Sequence, residues 1–538
     1  MIVRRFASSF SAKPGGFKLP PTIRQLLASP HTPAPDAPPI TVSGWIKSIR
    51  RQKNVAFAVL TDGSSPQGLQ AVFVGNGDGV KALTNGAAVR LTGKLVPSPG
   101  AGQDKELLVD LGKAGESGAK GEVRVLGSCD PEIYPIQKQA LSTEYLRDHS
   151  HLRARTDAIA AMIRLRDALK KNISTFFDEQ GFVYTHTPVL TGNDAEGAGE
   201  AFQIAEIPSA QHPASVLLPS SPSSSPSPSS SPAAPTATAT AAPSPLGGTL
   251  AHEKEFFSRP AHLTVSHQLH LEALATALAR VYTLSPCFRA ERSQTGRHLA
   301  EFWMLEAEWV QAGGVGETCD FVEACVRKVV GGLVHGGSGE LEVLWRGGEG
   351  SRRQAMSDAV KPDGKPWKRM TYTEAVEALE AEHARTKKFE YEPRWGRALQ
   401  SEHERWLAET FVKGPVFVTD YPAVLKPFYM RRNCSASGAE DRDRETVACF
   451  DLLVPHVGEL VGGSVREERP SVLESRMREA FGEAGVREYE WYLDLRRYGG
   501  APHVGFGMGF ERLVGWVGGI ENVRECVPFP RWAGRMLL

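Results

Sequence analysis

At 538 residues the chain exceeds what one hydrophobic core organises, so at least two domains are expected. Apolar residues make up 41% and charged residues 23%, an ordinary globular balance, and no apolar run of about 18 residues exists, so no membrane-spanning segment is expected. Basic and acidic side chains number 62 each, so composition announces no nucleic-acid partner, and any RNA-binding surface must be local.

The seven cysteines (129, 287, 319, 325, 434, 449 and 526) are odd in number and form no CxxC pair, which argues against a disulfide framework and a zinc ribbon. The first 35 residues hold Arg4, Arg5, Lys13, Lys18 and Arg24 but no acid before Asp36. That asymmetry has the character of a mitochondrial transit peptide, a disordered basic leader being the plainer alternative, with a cytoplasmic location then following.

Short strand-like segments separated by Gly, Asn, Asp and Pro run from Thr41 to about Val125 and predict a small β-barrel over 41–128. A polar hinge over 129–155 follows. Ile159, Met162, Ile163, Leu169, Ile173, Phe176 and Phe177 recur at helical spacing, predicting an amphipathic helix over 156–178 that Gly181 stops. VYTHTPVL then reads as a strand ending at a turn around Pro188. Every residue from Pro219 to Pro245 is Pro, Ser, Ala or Thr, too little apolar bulk to offset ordering entropy, so a disordered insertion is expected at about 207–250. Gly-rich 331–350 reads as a second loop. Beyond Met370, helical text (TYTEAVEALEAE, SEHERWLAETFV) alternates with apolar strands (PVFVTD, TVACFDLLVP, GFGMGFERLVGWV), giving an α+β body over 156–538 built on antiparallel strands.

Chemistry concentrates in CFRAERSQTGRHLAEFWMLEAEW, where Arg289, Arg297 and His298 surround a Gly-containing turn between apolar flanks. A hairpin with guanidinium forks converging on one point suits a triphosphate, and Phe302 suits stacking on a base. Read alone, a solvated charged turn accounts equally well for the arginines. Asp451 and Glu459, on opposite sides of a turn in FDLLVPHVGEL, suit Mg²⁺ held by carboxylates and phosphate oxygens, and Arg512 in GFGMGFERL adds another fork. Glycines 505, 507 and 509 permit close backbone approach but do not form a dinucleotide fingerprint.

FRAE…RHLAEF resembles motif 2 of class II aminoacyl-tRNA synthetases, GFGMGFERL motif 3, and the helix with Pro188 motif 1, which in that family forms a homodimer interface. A barrel ahead of the catalytic domain is similar to the aspartate, asparagine and lysine subgroup, where it is an anticodon-reading OB-fold. The resemblance implies an antiparallel catalytic sheet flanked by helices, a ligase reaction with ATP and Mg²⁺, and ATP contacts at Arg289, Glu291, Arg297, His298, Phe302, Glu459 and Arg512, of which Arg289, Arg512 and Glu459 are catalytic. DAEGAGEAF, LTVSHQLHLEA, DYPAVLKPFYMR and GELVGGSVREER resemble the asparagine-specific members.

That likeness implies Glu196, Ser266 and Gln268 at the α-ammonium of L-asparagine, Arg466 on the side-chain carbonyl, and tRNA(Asn) as partner, with Phe57 stacking on the anticodon and Gln70 hydrogen-bonding to it. Aspartate enzymes carry a Lys where this chain offers Leu271 and Glu272; a carboxylate accepts from an amide NH₂ and repels aspartate. A helix-surface acid is the alternative for Glu272. The family's usual Gly is replaced by His267, which restricts the backbone beside the ammonium pocket. His298 and His503 are the better histidine candidates, though each has a structural reading. Lys47, Arg50, Arg51 and Lys53 are expected near the RNA backbone. A relaxed aspartyl-tRNA synthetase and a tRNA-independent asparagine synthetase-like enzyme remain the competing functions.

Overall fold

A computed structural model describes residues 19–29, 38–75, 77–100, 102–112, 121–137, 139–192, 201–204, 256–310, 313–346, 349–433 and 444–538. Residues 1–18, Glu196 and the expected insertion at 207–250 lie outside the described residues.

The N-terminal unit is built from β1 (Ile40–Arg51), β2 (Val55–Thr61), β3 (Leu69–Val74), β4 (Ala88–Pro97), β5 (Lys105–Asp110) and β6 (Glu122–Gly127). Their order is β1-β2-β3-β5-β4-β6, and an added β1–β4 pairing closes the first five into a barrel. Alternation drives the closure: in β2, Ala56, Ala58 and Leu60 face the core while Phe57 and Val59 face outward.

The leader reading over 1–35 ends too late. Thr22 caps a short helix, Ile23–Ala28, in a capping box with Gln25, and Ile23 is fully buried in the barrel core. The expected hinge is anchored rather than loose: Arg147 forks onto Glu525 at 2.7 and 2.8 Å, and buried Arg153 donates to the carbonyls of Arg524, Val527 and Pro528.

The larger unit carries β7 (Val183–Tyr184), β8 (Leu190–Thr191), β9 (Gln203–Ile204), β10 (Ala261–Leu263), β11 (Arg280–Phe288), β12 (Glu301–Val310), β13 (Lys368–Thr371), β14 (Val416–Thr419), β15 (Cys449–Val454), β16 (Gly458–Val465) and β17 (His503–Gly509). Eight of these form one sheet in the order β13-β14-β15-β16-β17-β12-β11-β7; only the outermost pairs, β13–β14 and β11–β7, are parallel. The helix Asp157–Glu179 lays Ile159, Met162, Leu165, Leu169, Ile173, Phe176 and Phe177 against it, and Gly181 at φ +73° ends the helix as its sequence predicts.

Three readings of local structure change. VYTHTPVL is two short strands, β7 and β8, because Val183 and Tyr184 sit at the sheet edge and Pro188 donates no ladder bond. The glycines at 331 and 332 lie within a helix, Val315–His335, whose buried Val322, Val326, Val329 and Val330 outweigh glycine's low propensity; Gly331 brings its backbone close to the Val360 carbonyl. GFGMGFERLVGWV is not one strand: β17 ends at Gly509 and the helix Phe510–Gly518 begins at once. The six cysteines among the described residues form no disulfide with one another, and no helix there is long and apolar enough to cross a membrane.

Candidate active site

The β11–β12 hairpin pairs Arg280 with Trp309 and Phe288 with Glu301, leaving the expected loop between. The C-terminal segment braces that loop: Ala300 donates its N–H to the Arg531 carbonyl (2.7 Å) and Val523 to the Gly296 carbonyl (2.9 Å). Arg289, Glu291, Arg297, His298, Phe302, Glu459 and Arg512 line one cavity of about 160 Å³, so the sequence-nominated ATP residues come together. Arg289 lies over the Phe302 ring at 5.4 Å. His298 Nε2 is 3.2 Å from Glu291, and its Nδ1 faces the Thr295 and Ser293 hydroxyls; burial, and then the nearby arginines, lower its proton affinity despite Glu291. Arg297 is held by Glu404 at 3.2 Å, and Arg512 donates to the Glu459 carbonyl (2.8 Å) and carboxylate (3.3 Å).

One face of the sheet serves two purposes. Phe302, Met304, Glu306 and Glu308 alternate along β12, and the strand beside them places Gly509, Gly507 and Gly505 opposite the last three. A Cβ at Gly505 would fall inside the Glu308 carboxylate, and one at Gly507 would come within 2.9 Å of Met304. These glycines make room for side chains of β12 as well as keeping the floor of the cavity low.

Asp451 and Glu459 flank Gly462, where a Cβ would stand 3.4 Å from a carboxylate oxygen of each. The expected metal pair is revised: both Asp451 oxygens accept from Lys426 Nζ at 2.9 and 2.8 Å, and Glu459 is the carboxylate that lines the cavity. Burial raises the Asp451 carboxyl's proton affinity and Lys426 opposes it. Although burial works against it, Arg512 and then Lys426 hold Glu459 below the ordinary range. Burial and Glu459 push Glu404 up.

The described residues expected at the amino acid gather toward the other end of β12 and are buried. Glu272 is fully buried on the helix Gln268–Leu278, which rules out the helix-surface reading. Its Oε1 accepts from Gln268 Nε2 at 2.9 Å; Oε2 accepts from Tyr492 Oη (2.6 Å), Arg496 Nη2 (2.6 Å) and His503 Nε2 (2.9 Å). Burial favours its neutral form, yet Arg496, His503 and Arg466 outweigh this and hold Glu272 well below the usual carboxylate range. Arg466 is 3.8 Å from Glu272 but directs its fork onto Glu308 and Nη1 onto Ser464 at 2.5 Å, so the guanidinium expected to grip substrate is already held in an ion pair. Ser266 donates to Glu306 at 2.5 Å, placing its hydroxyl on the protein and not in open space. His267 replaces the family's Gly without strain, at φ −97°, with Nδ1 on Thr187 (2.7 Å) and Nε2 on the Pro286 carbonyl (3.1 Å).

On the barrel, Phe57 pairs with Val72 and Gln70 with Val59, so both expected anticodon residues share the outer face, half-buried, with Arg50 5.7 Å from the Phe57 ring. Gln70 donates to Glu106 at 2.8 Å. Two of the four expected cations serve the protein itself: Lys47 binds Asp157 of the catalytic unit at 2.6 and 2.7 Å, and Arg51 caps carbonyls at Val80, Lys81 and Leu83.

Sequence reasoning missed Glu404, Lys426, Glu308, Tyr492, Arg496 and Glu511. Glu511 ties the three motif regions together, accepting from Arg166 (2.7 Å) and the Trp303 N–H (2.9 Å). Lys426 stood in DYPAVLKPFYMR, so a signal existed; Arg496 is 224 residues from its partner Glu272, and nothing local links them.

An arginine-lined hairpin cavity on an antiparallel sheet, capped by Arg512 at the head of the next helix and preceded by a closed five-stranded barrel, defines a class II aminoacyl-tRNA synthetase. The profile of tRNA synthetases class II (D, K and N) matches residues 142–224 and 237–533, and that of the OB-fold nucleic acid binding domain matches 40–110. The asparagine–tRNA ligase of Treponema denticola is 40% identical over 509 residues, 93% of this chain and 97% of its own length; that of Rhodopirellula baltica is 40% identical over 501 residues, 92% and 90%. The crystal structure of asparaginyl-tRNA synthetase from Pyrococcus horikoshii complexed with asparaginyl-adenylate is similar with a TM-score of 0.72 at 26% identity, over 97% of this chain and 100% of that one. The chain belongs to the asparagine–tRNA ligase family.

Proposed function

We propose that the site activates L-asparagine with ATP and transfers the asparaginyl group to the 3′ end of tRNA(Asn). The buried Glu272 beside Arg466, together with the arginine-lined cavity on the same sheet, carries the reading: an acceptor-only carboxylate suits an amide, and the cavity suits a triphosphate. An oxygen of the asparagine carboxylate attacks the α-phosphorus as the bond to pyrophosphate breaks. Arg289 stabilises charge on the α-phosphate, Arg297 and Arg512 hold the β- and γ-phosphates, and adenine stacks on Phe302, with Glu291 and His298 at the cavity wall. Held by Glu459 with Asp451 beside it, Mg²⁺ would neutralise phosphate charge. Gln268 serves the amino-acid end beside Ser266, and a ribose hydroxyl of the tRNA terminus then displaces AMP from the activated carbonyl. Asparagine-dependent ATP–pyrophosphate exchange, with aspartate as control, tests this reading; exchange driven equally by aspartate would overturn it.

Phe57 and Gln70 on the barrel's outer face suit unpaired anticodon bases. Exposed Val183 and Tyr184 at the β7 edge and exposed Leu190 of β8, with Leu278 and Val310 also exposed, support a homodimer, which sedimentation at micromolar concentration tests. The acid-free leader supports mitochondrial import; cleavage would fall before Thr22, because Ile23 is a core residue of the barrel. A fluorescent fusion of residues 1–40 that stays cytosolic would refute it.

A further inference from the structure

The groups that surround Glu272 come from every element packed on it. Its own helix supplies Gln268; the helix Glu490–Arg497 supplies Tyr492 and Arg496; β17 supplies His503; Arg466 approaches just beyond β16, itself paired to Glu308 of β12. Arg496 is the cation closest to the carboxylate. Its Nε is fixed on the Glu467 carbonyl at 3.0 Å and its Nη2 also reaches Tyr492 Oη at 2.9 Å, so the guanidinium is aimed and not merely nearby. Arg496 Nη1 is buried with no hydrogen-bond partner among the described residues, an arrangement that packing for its own sake does not favour.

We propose that Arg496 is a specificity-determining positioning residue, which keeps Glu272 an ionised, acceptor-only group so that the pocket takes an amide and refuses a carboxylate. The inference rests on the asparagine-activating reading of the same site. An ionised carboxylate accepts hydrogen bonds and donates none, so it pairs with the NH₂ of asparagine and has nothing to offer the second oxygen of aspartate. Without Arg496, Glu272 retains the neutral donors Gln268 and Tyr492, with His503 at 2.9 Å, and its nearest guanidinium is Arg466 at 3.8 Å, already engaged by Glu308. A carboxyl buried that deeply then takes a proton. The resulting O–H donates to a carboxylate, so aspartate gains a partner just as asparagine loses one. Arg496 thus acts through Glu272 and touches no reacting atom.

The test is amino-acid-dependent ATP–pyrophosphate exchange by the full chain, with asparagine and aspartate, from pH 6 to 8.5. In Arg496→Met the ratio of kcat/KM for asparagine over aspartate falls by about tenfold or more and falls further as pH drops, while the wild-type ratio stays flat. Arg496→Lys, which keeps the charge, restores most of the ratio. Tyr492→Phe, which removes one donor from the same oxygen, shifts the ratio the same way by less. If melting curves show Arg496→Met unfolded, the contrast between Tyr492→Phe and Arg496→Lys decides the matter. Equal losses for both amino acids, with an unchanged ratio across the pH range, would overturn the proposal. Failure of the wild type to exchange with asparagine would instead remove the functional reading beneath it.

Discussion

The arginine-lined cavity and the buried Glu272 cluster, proposed for nucleotide and amino acid, share one strand face, yet they hold their charges on opposite terms. Phe302 and Met304 of β12 belong to the cavity, and Glu308, further along that face, belongs to the pocket. Arg289, Arg297 and Arg512 leave 31%, 24% and 28% of their side chains exposed, whereas Arg466 and Arg496 leave 3% and 1%. A polyanion that enters whole and leaves as two fragments needs cations able to exchange partners, and partly hydrated pairs of low net strength allow this. Telling an amide from a carboxylate needs the reverse: a dry site in which every wrong pairing leaves a buried group unsatisfied.

The sharpest way to break that contrast is Arg512→Ala. If the cavity's loosely held arginines act on developing phosphate charge, asparagine-dependent exchange falls by about a thousandfold in kcat, with melting temperature almost unchanged. A change confined to the KM for ATP would reduce Arg512 to a binding group. Glu272→Gln probes the other side. It should lower asparagine-over-aspartate discrimination by about tenfold to a hundredfold in kcat/KM and also destabilise the fold by about 3 kcal/mol, because it strands Arg496. An undiminished ratio in the exchange assay would show that Glu272 organises the pocket without choosing the substrate.

The two regions were also unequally legible in the sequence. Arg289, Arg297 and Phe302 fall within one hairpin, so their convergence follows from local spacing and turn chemistry. The pocket assembles Glu272, Glu308, Arg466, Arg496 and His503 from separated segments, and only the sheet and the packing of the helix Glu490–Arg497 bring them together. Glu272 was visible as a carboxylate in a particular stretch; its burial and its four donors were not. The same limit explains Lys47, which reads as a phosphate contact but is drawn by tertiary structure to Asp157. It explains Gly331 as well, a loop signal overridden by valine packing. Barrel alternation and the helix Asp157–Glu179, by contrast, were carried by periodicity alone.

Phe57→Ala separates the anticodon face from both regions. With the ring removed, charging of tRNA should weaken by about 1–3 kcal/mol in apparent KM, about 5- to 150-fold, while tRNA-independent exchange is unchanged. Loss of exchange in that variant would mean that the half-buried ring supports the barrel and not an RNA base.

The smallest expected effect tests whether the pocket's second carboxylate is as firmly ionised as Glu272. Burial, and further Glu272, push Glu308 up to about 7 from 4.5 against the pull of Arg466. The folded state then binds this proton more tightly than the unfolded chain does. The stabilisation from this group is fully present below about pH 4.5 and is lost as pH rises through about 7. Carboxyls held low, such as Glu272 and Glu459, act in the opposite sense and below the ordinary carboxylate range, outside that window. Differential scanning calorimetry of the wild type and Glu308→Gln at about pH 5 and about pH 7 should therefore show the wild type losing about 2–4 °C more than the variant across the interval. Equal shifts would mean that Arg466 keeps Glu308 ionised throughout, and that both carboxylates of the pocket, not Glu272 alone, present a fixed negative charge to aspartate.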